Sequence, residues 1–358
     1  MEQVHGGNIY EVARRYGLRV EALIDFSSNI NPLGPSPRVL RALRSHLRWI
    51  GRYPELHAAG LIRDLARAHG LPEETIVVGN GSTALIYHLP TVLSAKTALI
   101  LHPTFSEYER AFGQRGCRVD VVLREEAHDF APPWPRLFEG LRRGYDAVIL
   151  CNPNNPTGDV IPPAELAEFV EEAAQRGTTV IIDEAFMDFQ EDASLKQETL
   201  RRGNLVVLRS MTKCFALAGL RLGFLVAPPP LVKRLQEAEE PWAVSALAQI
   251  AGRESLKDRN YLRRTLALIA TERQYLQEHL RQIPGLRVFP SAANFLLMKL
   301  TQPGWDAPRL QRSLIRHAIL IRDCTSFPGL GGAYVRIAVR GRNENSRLIR
   351  GIEEALRA

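Results

Sequence analysis

The chain has 358 residues, 45% hydrophobic and 24% charged, which is the make-up of a globular protein longer than one core usually serves, so two domains are expected. Its formal net charge is +7, but the arginines are scattered along helical stretches such as "RRTLALIATER" and "LKDRNYLRR"; with no clustered basic stripe a nucleic-acid partner is not expected, while attraction for small anions stays open. Cys117, Cys151, Cys214 and Cys324 lie far apart with no CxxC pair, and no apolar run reaches the length of a membrane span or signal core, so no disulfide frame, metal site or membrane anchor is expected and the location should be cytoplasmic.

Residues 1–35 carry turn chemistry, "DFSSNINPLGPSP", and read as an arm rather than a domain. Residues 36–250 read as a large domain. Between 75 and 228 short β-rich runs alternate with helical patterns: "TIVVGN", "TALILH", "RVDVVL", "DAVILC", "TTVIIDEAF", "NLVVLRS" and "LRLGFLVAP". Continuous apolar strands with helical crossovers predict an α/β domain, with a mostly parallel seven-stranded sheet covered by helices. Residues 251–358 read as a smaller α+β domain: a helix over about 257–283, strands "LRVFPS" and "ANFLLMKL", a helix near 307–317, strands "AILIRDC" and "AYVRIAV", and a last helix.

Parallel sheets bind ligands at the carboxyl ends of their strands, and five features fall there. "GNGSTALIYHL" follows the first strand; Gly79 and Gly81 allow a tight turn, and Ser82 and Thr83 open a helix whose exposed N–H groups suit a phosphate. Many strand–helix junctions look the same. Tyr108, in "HPTFSEYERA", starts a helix where an aromatic could stack on a flat ligand or simply fill the core. "CNPNNPTG" has two X-Pro steps and a glycine, which hold Asn155 in a rigid loop. In "VIIDEAFMDF", Asp183 ends an apolar strand and needs a cation, either a protonated ring nitrogen or a buried Arg or Lys. Last, "RSMTKCFALAGLRLGFLVAP" places Lys213 in mostly apolar chain. The lysine could cap a helix at the surface. Bonded to an aldehyde it would lose its charge problem, and Ser210, Thr212 and Arg221 would then bind a phosphate dianion.

In this order the motifs resemble those of fold-type I pyridoxal 5′-phosphate enzymes of the aspartate aminotransferase superfamily. The resemblance implies Lys213 as the amine that joins the cofactor aldehyde and Asp183 as partner of its pyridine nitrogen. It implies Asn155 at the phenolic oxygen, Tyr108 stacked on the ring, and Ser82, Ser210 and Arg221 on the phosphate with backbone help from Gly81. Tyr53, in "GRYPE", matches a tyrosine that reaches the neighbouring subunit's cofactor, which implies a homodimer with shared sites. Arg336, in "YVRIAV", matches the arginine that grips a substrate carboxylate. Phe186 stands where many aminotransferases of the group have tyrosine, so one hydroxyl donor to the phenolic oxygen is missing and Asn155 is left alone.

The ends of the chain narrow the resemblance. "HGGNIYEVARRYG", "DFSSNINPLGPSP", "PWAVSALA" and "ILIRDCTSFPGL" are similar to the threonine-phosphate decarboxylases of the cobalamin pathway. That implies His5, Gly6, Asn29 and Asn155 at the substrate, Arg322 on its phosphate, and conversion of O-phospho-L-threonine to (R)-1-amino-2-propanol O-2-phosphate. A class II aminotransferase acting on histidinol phosphate shares the middle motifs but not the "HGGN" start.

Overall fold

A computed structural model of the chain describes residues 5–357. Thirteen strands are found among them. In chain order they are β1 (Ile24–Asp25), β2 (Ile76–Asn80), β3 (Thr97–His102), β4 (Arg118–Leu123), β5 (Ala147–Cys151), β6 (Thr179–Asp183), β7 (Leu205–Ser210), β8 (Leu222–Val226), β9 (Leu286–Val288), β10 (Phe295–Leu300), β11 (Ile319–Leu320), β12 (Arg322–Asp323) and β13 (Tyr334–Ala338).

Strands β2 to β8 are the seven expected ones and form one sheet in the order β2-β8-β7-β6-β5-β3-β4. Only β8 runs against its neighbours, antiparallel to both β7 and β2. The reason for the all-apolar runs is visible in the core. Val148 and Ile182 pack into one apolar cluster, while their chain neighbours Ile149 and Ile181 pack into another on the opposite face. Both faces are buried, so alternation between polar and apolar residues is absent. Because β8 is reversed, its first residue lies at the same edge as the last residues of β2, β5, β6 and β7.

The later strands build a second sheet, β12-β13-β10-β9, antiparallel throughout. It is backed by helices Arg259–Leu280, Ala307–Ile315 and Arg342–Arg357. The predicted strand "AILIRDC" is broken in two at Ile321. Its first half, β11, pairs with β1 of the arm, and its second half, β12, pairs with β13. The arm is therefore stitched to the C-terminal part of the chain: Phe26 N donates to Leu320 O at 2.8 Å, and Ala338 N donates to Phe26 O at 2.8 Å. Among the described residues no helix is long and apolar enough to cross a membrane, and all four cysteines are free and buried.

Candidate active site

The turn after β2 is shaped by glycine for a steric reason. Gly81 has φ 78°, in the left-handed region, and a Cβ there would lie 2.8 Å from Arg221 Nη2. A Cβ on Gly223 would lie 2.3 Å from Ser82 N, so β8 and the start of helix Ser82–Val92 touch backbone to backbone. No side chain caps that helix. Ser210 Oγ and Thr212 Oγ1, both buried, are 2.7 Å apart across the same edge. Uncapped N–H groups, two or three hydroxyls and a guanidinium with no carboxylate within 4 Å among the described residues make a cradle for a dianion.

Asp183 ends β6 with 3% of its surface exposed. It makes no ion pair with the described residues. Instead Tyr108 donates its phenol to Oδ2 at 2.6 Å and Ala185 N donates to Oδ1 at 2.9 Å. Burial raises the carboxyl pKa, while these two donors and the Lys213 charge pull it back. Tyr108 is almost wholly buried and packs edge-on against Phe105, at 5.6 Å and 81°. Its phenol is thus tied to the acid that would face a ring nitrogen. Lys213 is half-buried, with Nζ 5.8 Å from the Phe186 ring centre. Burial pushes its pKa down to about 8, helped by Arg336 and Arg221 and opposed by Asp183. These groups fit pyridoxal 5′-phosphate: an acid for a pyridinium nitrogen, an amine that is partly neutral near pH 8, and a dianion cradle.

Arg336 and Arg322 are direct cross-strand partners on β13 and β12. Both are buried, and neither has a carboxylate within 4 Å among the described residues. Arg336 donates through Nη1 to Asn155 Oδ1 and through Nη2 to Ser27 O at 2.8 Å, while its Nε has no partner. Arg322 donates to Ser326 Oγ at 2.8 Å. Burial lowers the Arg336 pKa to about 10, and the Arg322 charge adds to that. Two adjacent cations held out of water and short of acids call for anionic ligands.

The arm crosses this place. A Cβ on Gly6 would lie 2.2 Å from Ser27 O and 3.3 Å from Arg336 Nη2. Buried Asn29 Oδ1 has no partner. His5 Nε2 lies 2.9 Å from Glu107 Oε1. Tyr53 stands apart: it is 79% exposed and lies against Trp242, ring centres 4.6 Å apart.

Two features were missed in the sequence. One is Glu107, buried beside Tyr108. Arg209, fully buried, donates to Glu184 at 3.1 Å, to Asp188 at 2.8 Å and to Glu191 at 2.6 Å. Glu184 and Arg209 adjoin Asp183 and Ser210 in the chain, and side chains alternate faces along a strand. The pattern of acids in "DEAFMDF" was the available signal. A surface cavity of about 580 Å³, lined by Trp305, Arg309, Arg312 and Glu354 among others, holds none of the site residues.

Residues 21–352 match the family model "Aminotransferase class I and II", and the chain belongs to that family. Among curated proteins it is 37% identical to the threonine-phosphate decarboxylase of Salmonella typhimurium, over 98% of this chain and 96% of that protein. It is 34% identical to the histidinol-phosphate aminotransferase of Methanosarcina mazei, over 98% and 93%. Among solved structures, the histidinol-phosphate aminotransferase from Clostridium acetobutylicum superposes with a TM-score of 0.88 at 30% identity, covering 94% of this chain and 99% of that one.

Proposed function

We propose that the chain is a pyridoxal-phosphate-dependent carboxy-lyase that decarboxylates O-phospho-L-threonine to 1-amino-2-propanol phosphate, a building block of the cobalamin nucleotide loop. The observation that carries this is the pair Arg322 and Arg336, side by side, buried and with no acid within 4 Å among the described residues. A substrate with a carboxylate and a phosphate on one short skeleton satisfies both at once. Histidinol phosphate carries only one such anion.

When bound, the cofactor supplies an electron sink for the carbon that loses a substituent. Lys213 would hold it covalently, Asp183 would keep a proton on its ring nitrogen, and Tyr108 and Asn155 would flank the ring. Ser82, Thr83, Ser210, Thr212, Arg221 and the Gly81 turn would hold its phosphate. The chain decides which bond at Cα is presented. Arg336 anchors the carboxylate and Arg322 the distal phosphate, which leaves little freedom of rotation about N–Cα. Once the substrate amine has displaced it from the cofactor, Lys213 Nζ would be free to hand a proton to the Cα that has lost carbon dioxide. Asn29 and Gly6 close the pocket, and Gly6 leaves room for the arm beside Arg336. We take the enzyme to be a cytoplasmic homodimer.

The likeness to histidinol-phosphate aminotransferases supports a second reading on the same scaffold. One incubation separates them. Holoenzyme with O-phospho-L-threonine and no keto acid should release carbon dioxide and aminopropanol phosphate in equal amounts. Absence of both, with glutamate-dependent conversion of imidazole-acetol phosphate, would replace the decarboxylase by the aminotransferase.

A further inference from the structure

We infer that Glu107 is a positioning residue, a dock that holds the N-terminal arm closed over the site through His5. The inference rests on the reading above in one respect, that the substrate carries a phosphate. Glu107 is the first residue of helix Glu107–Gln114 and is 6% exposed. A carboxylate so far from water is unfavourable unless each oxygen is matched. Oε2 accepts the Tyr87 hydroxyl. Among the described residues Oε1 accepts no hydrogen bond, and the cationic groups nearest to it are the His5 ring, whose Nε2 is 2.9 Å away, and Arg110, 3.9 Å off. The acid is held in place from one side and offered to the arm on the other.

Its position gives this contact a consequence for the site. The next residue, Tyr108, donates to Asp183. Two residues along the arm from His5, Gly7 N donates to Ser27 Oγ at 2.8 Å, and between them Gly6 lies against Arg336. Residues 5–7 therefore span from the edge of the large sheet to the arginine on β13. With Nε2 beside Glu107 Oε1, Nδ1 is the ring nitrogen left over. In the imidazolium form both nitrogens donate, so Nδ1 can present N–H to the distal phosphate beside Arg322. The carboxylate thus orients the histidine, much as outer residues orient the ligands of a metal.

Two measurements test this. In steady-state kinetics with O-phospho-L-threonine, Glu107→Ala should raise KM roughly 10- to 100-fold and leave kcat within about threefold, the scale of one hydrogen bond to a charged group. Glu107→Gln, which keeps the shape and the Tyr87 contact, should fall between that and wild type. Adding Glu107→Ala to His5→Ala should cost nothing further, because the two side chains act as one unit. Binding of L-threonine, which has no phosphate, should be unchanged. An unchanged KM, additive losses, or an equal loss for L-threonine would each overturn the role. The second measurement needs no substrate: Glu107→Ala should speed tryptic cleavage after the exposed Arg14 and Arg15. If the wild type decarboxylates nothing, the functional reading fails while this cleavage rate still decides the dock, and an unchanged rate overturns it.

Discussion

Lys213 carries an electrostatic load that can be measured without cofactor. Its folded pKa is about 8, against about 10.4 for a free lysine. Between those values the unfolded chain binds more protons than the folded one, so this residue makes the protein more stable as pH rises from about 8 to about 10.4. Below about 8 the cost of burying the charge is present in full. Replacing Lys213 by Met removes that cost and keeps the volume. The cofactor-free variant should therefore melt higher than cofactor-free wild type at pH 7, and the gap should close as pH rises towards 10. A gap that stays constant with pH would mean the lysine is not burdened by burial. The same depressed pKa makes the amine ready to attack an aldehyde near pH 8, where an ordinary lysine is almost wholly protonated.

At the scale of one element, the start of helix Ser82–Val92 is the critical junction. Three constraints meet there: a left-handed turn at Gly81, a guanidinium over that turn, and the backbone of β8 against Ser82. Gly81→Ala would force a side chain into a left-handed conformation and push it against Arg221. Backbone strain alone costs about 1 kcal/mol. We expect pyridoxal phosphate affinity, read by equilibrium dialysis, to fall at least roughly tenfold, while the urea midpoint moves little. Undiminished affinity would remove this turn from the phosphate site. The neighbouring strands show why burial of charge is tolerated here. Arg209 reaches three acids from β7, and Glu184 has Ser194 Oγ and Leu195 N as further donors, so the ion cluster under the site is closed on itself.

At the scale of the whole molecule, Tyr53 is the residue the single chain leaves unexplained. It lies in an exposed apolar stretch with Leu47, Trp49, Ile50 and Leu56, beside Trp242. The proposed homodimer would cover these residues. If Tyr53 then enters the partner's site, two dead variants should rescue each other. Mixing Lys213→Ala with Tyr53→Ala under conditions of subunit exchange places the native lysine of one subunit opposite the native tyrosine of the other. About half the sites in each mixed dimer should work, and turnover should return in proportion to the mixed dimers formed. No return, with exchange shown by mass spectrometry, would confine Tyr53 to its own chain.

The sheet and the edge that holds the candidate site were legible in the sequence. Strands buried on both faces must be apolar throughout, and each polar residue that interrupts such a run at its end stands out. Asp183, Ser210, Lys213, Asn155 and the Gly81–Ser82 turn were picked out as candidates that way, and parallel order brings strand ends to one edge whatever lies between. The tertiary structure alone decided the contacts between distant segments. The split of "AILIRDC" into two strands depends on β1, some 295 residues earlier in the chain, offering an edge. The pairing of Arg336 with Asn155, the seat of Gly6 against Arg336, and the Glu107–His5 contact each join residues about 100 or more apart. Periodicity reports which face of an element is buried. It carries no information about which other element supplies the partner, and for polar groups it is the partner that sets charge, orientation and role.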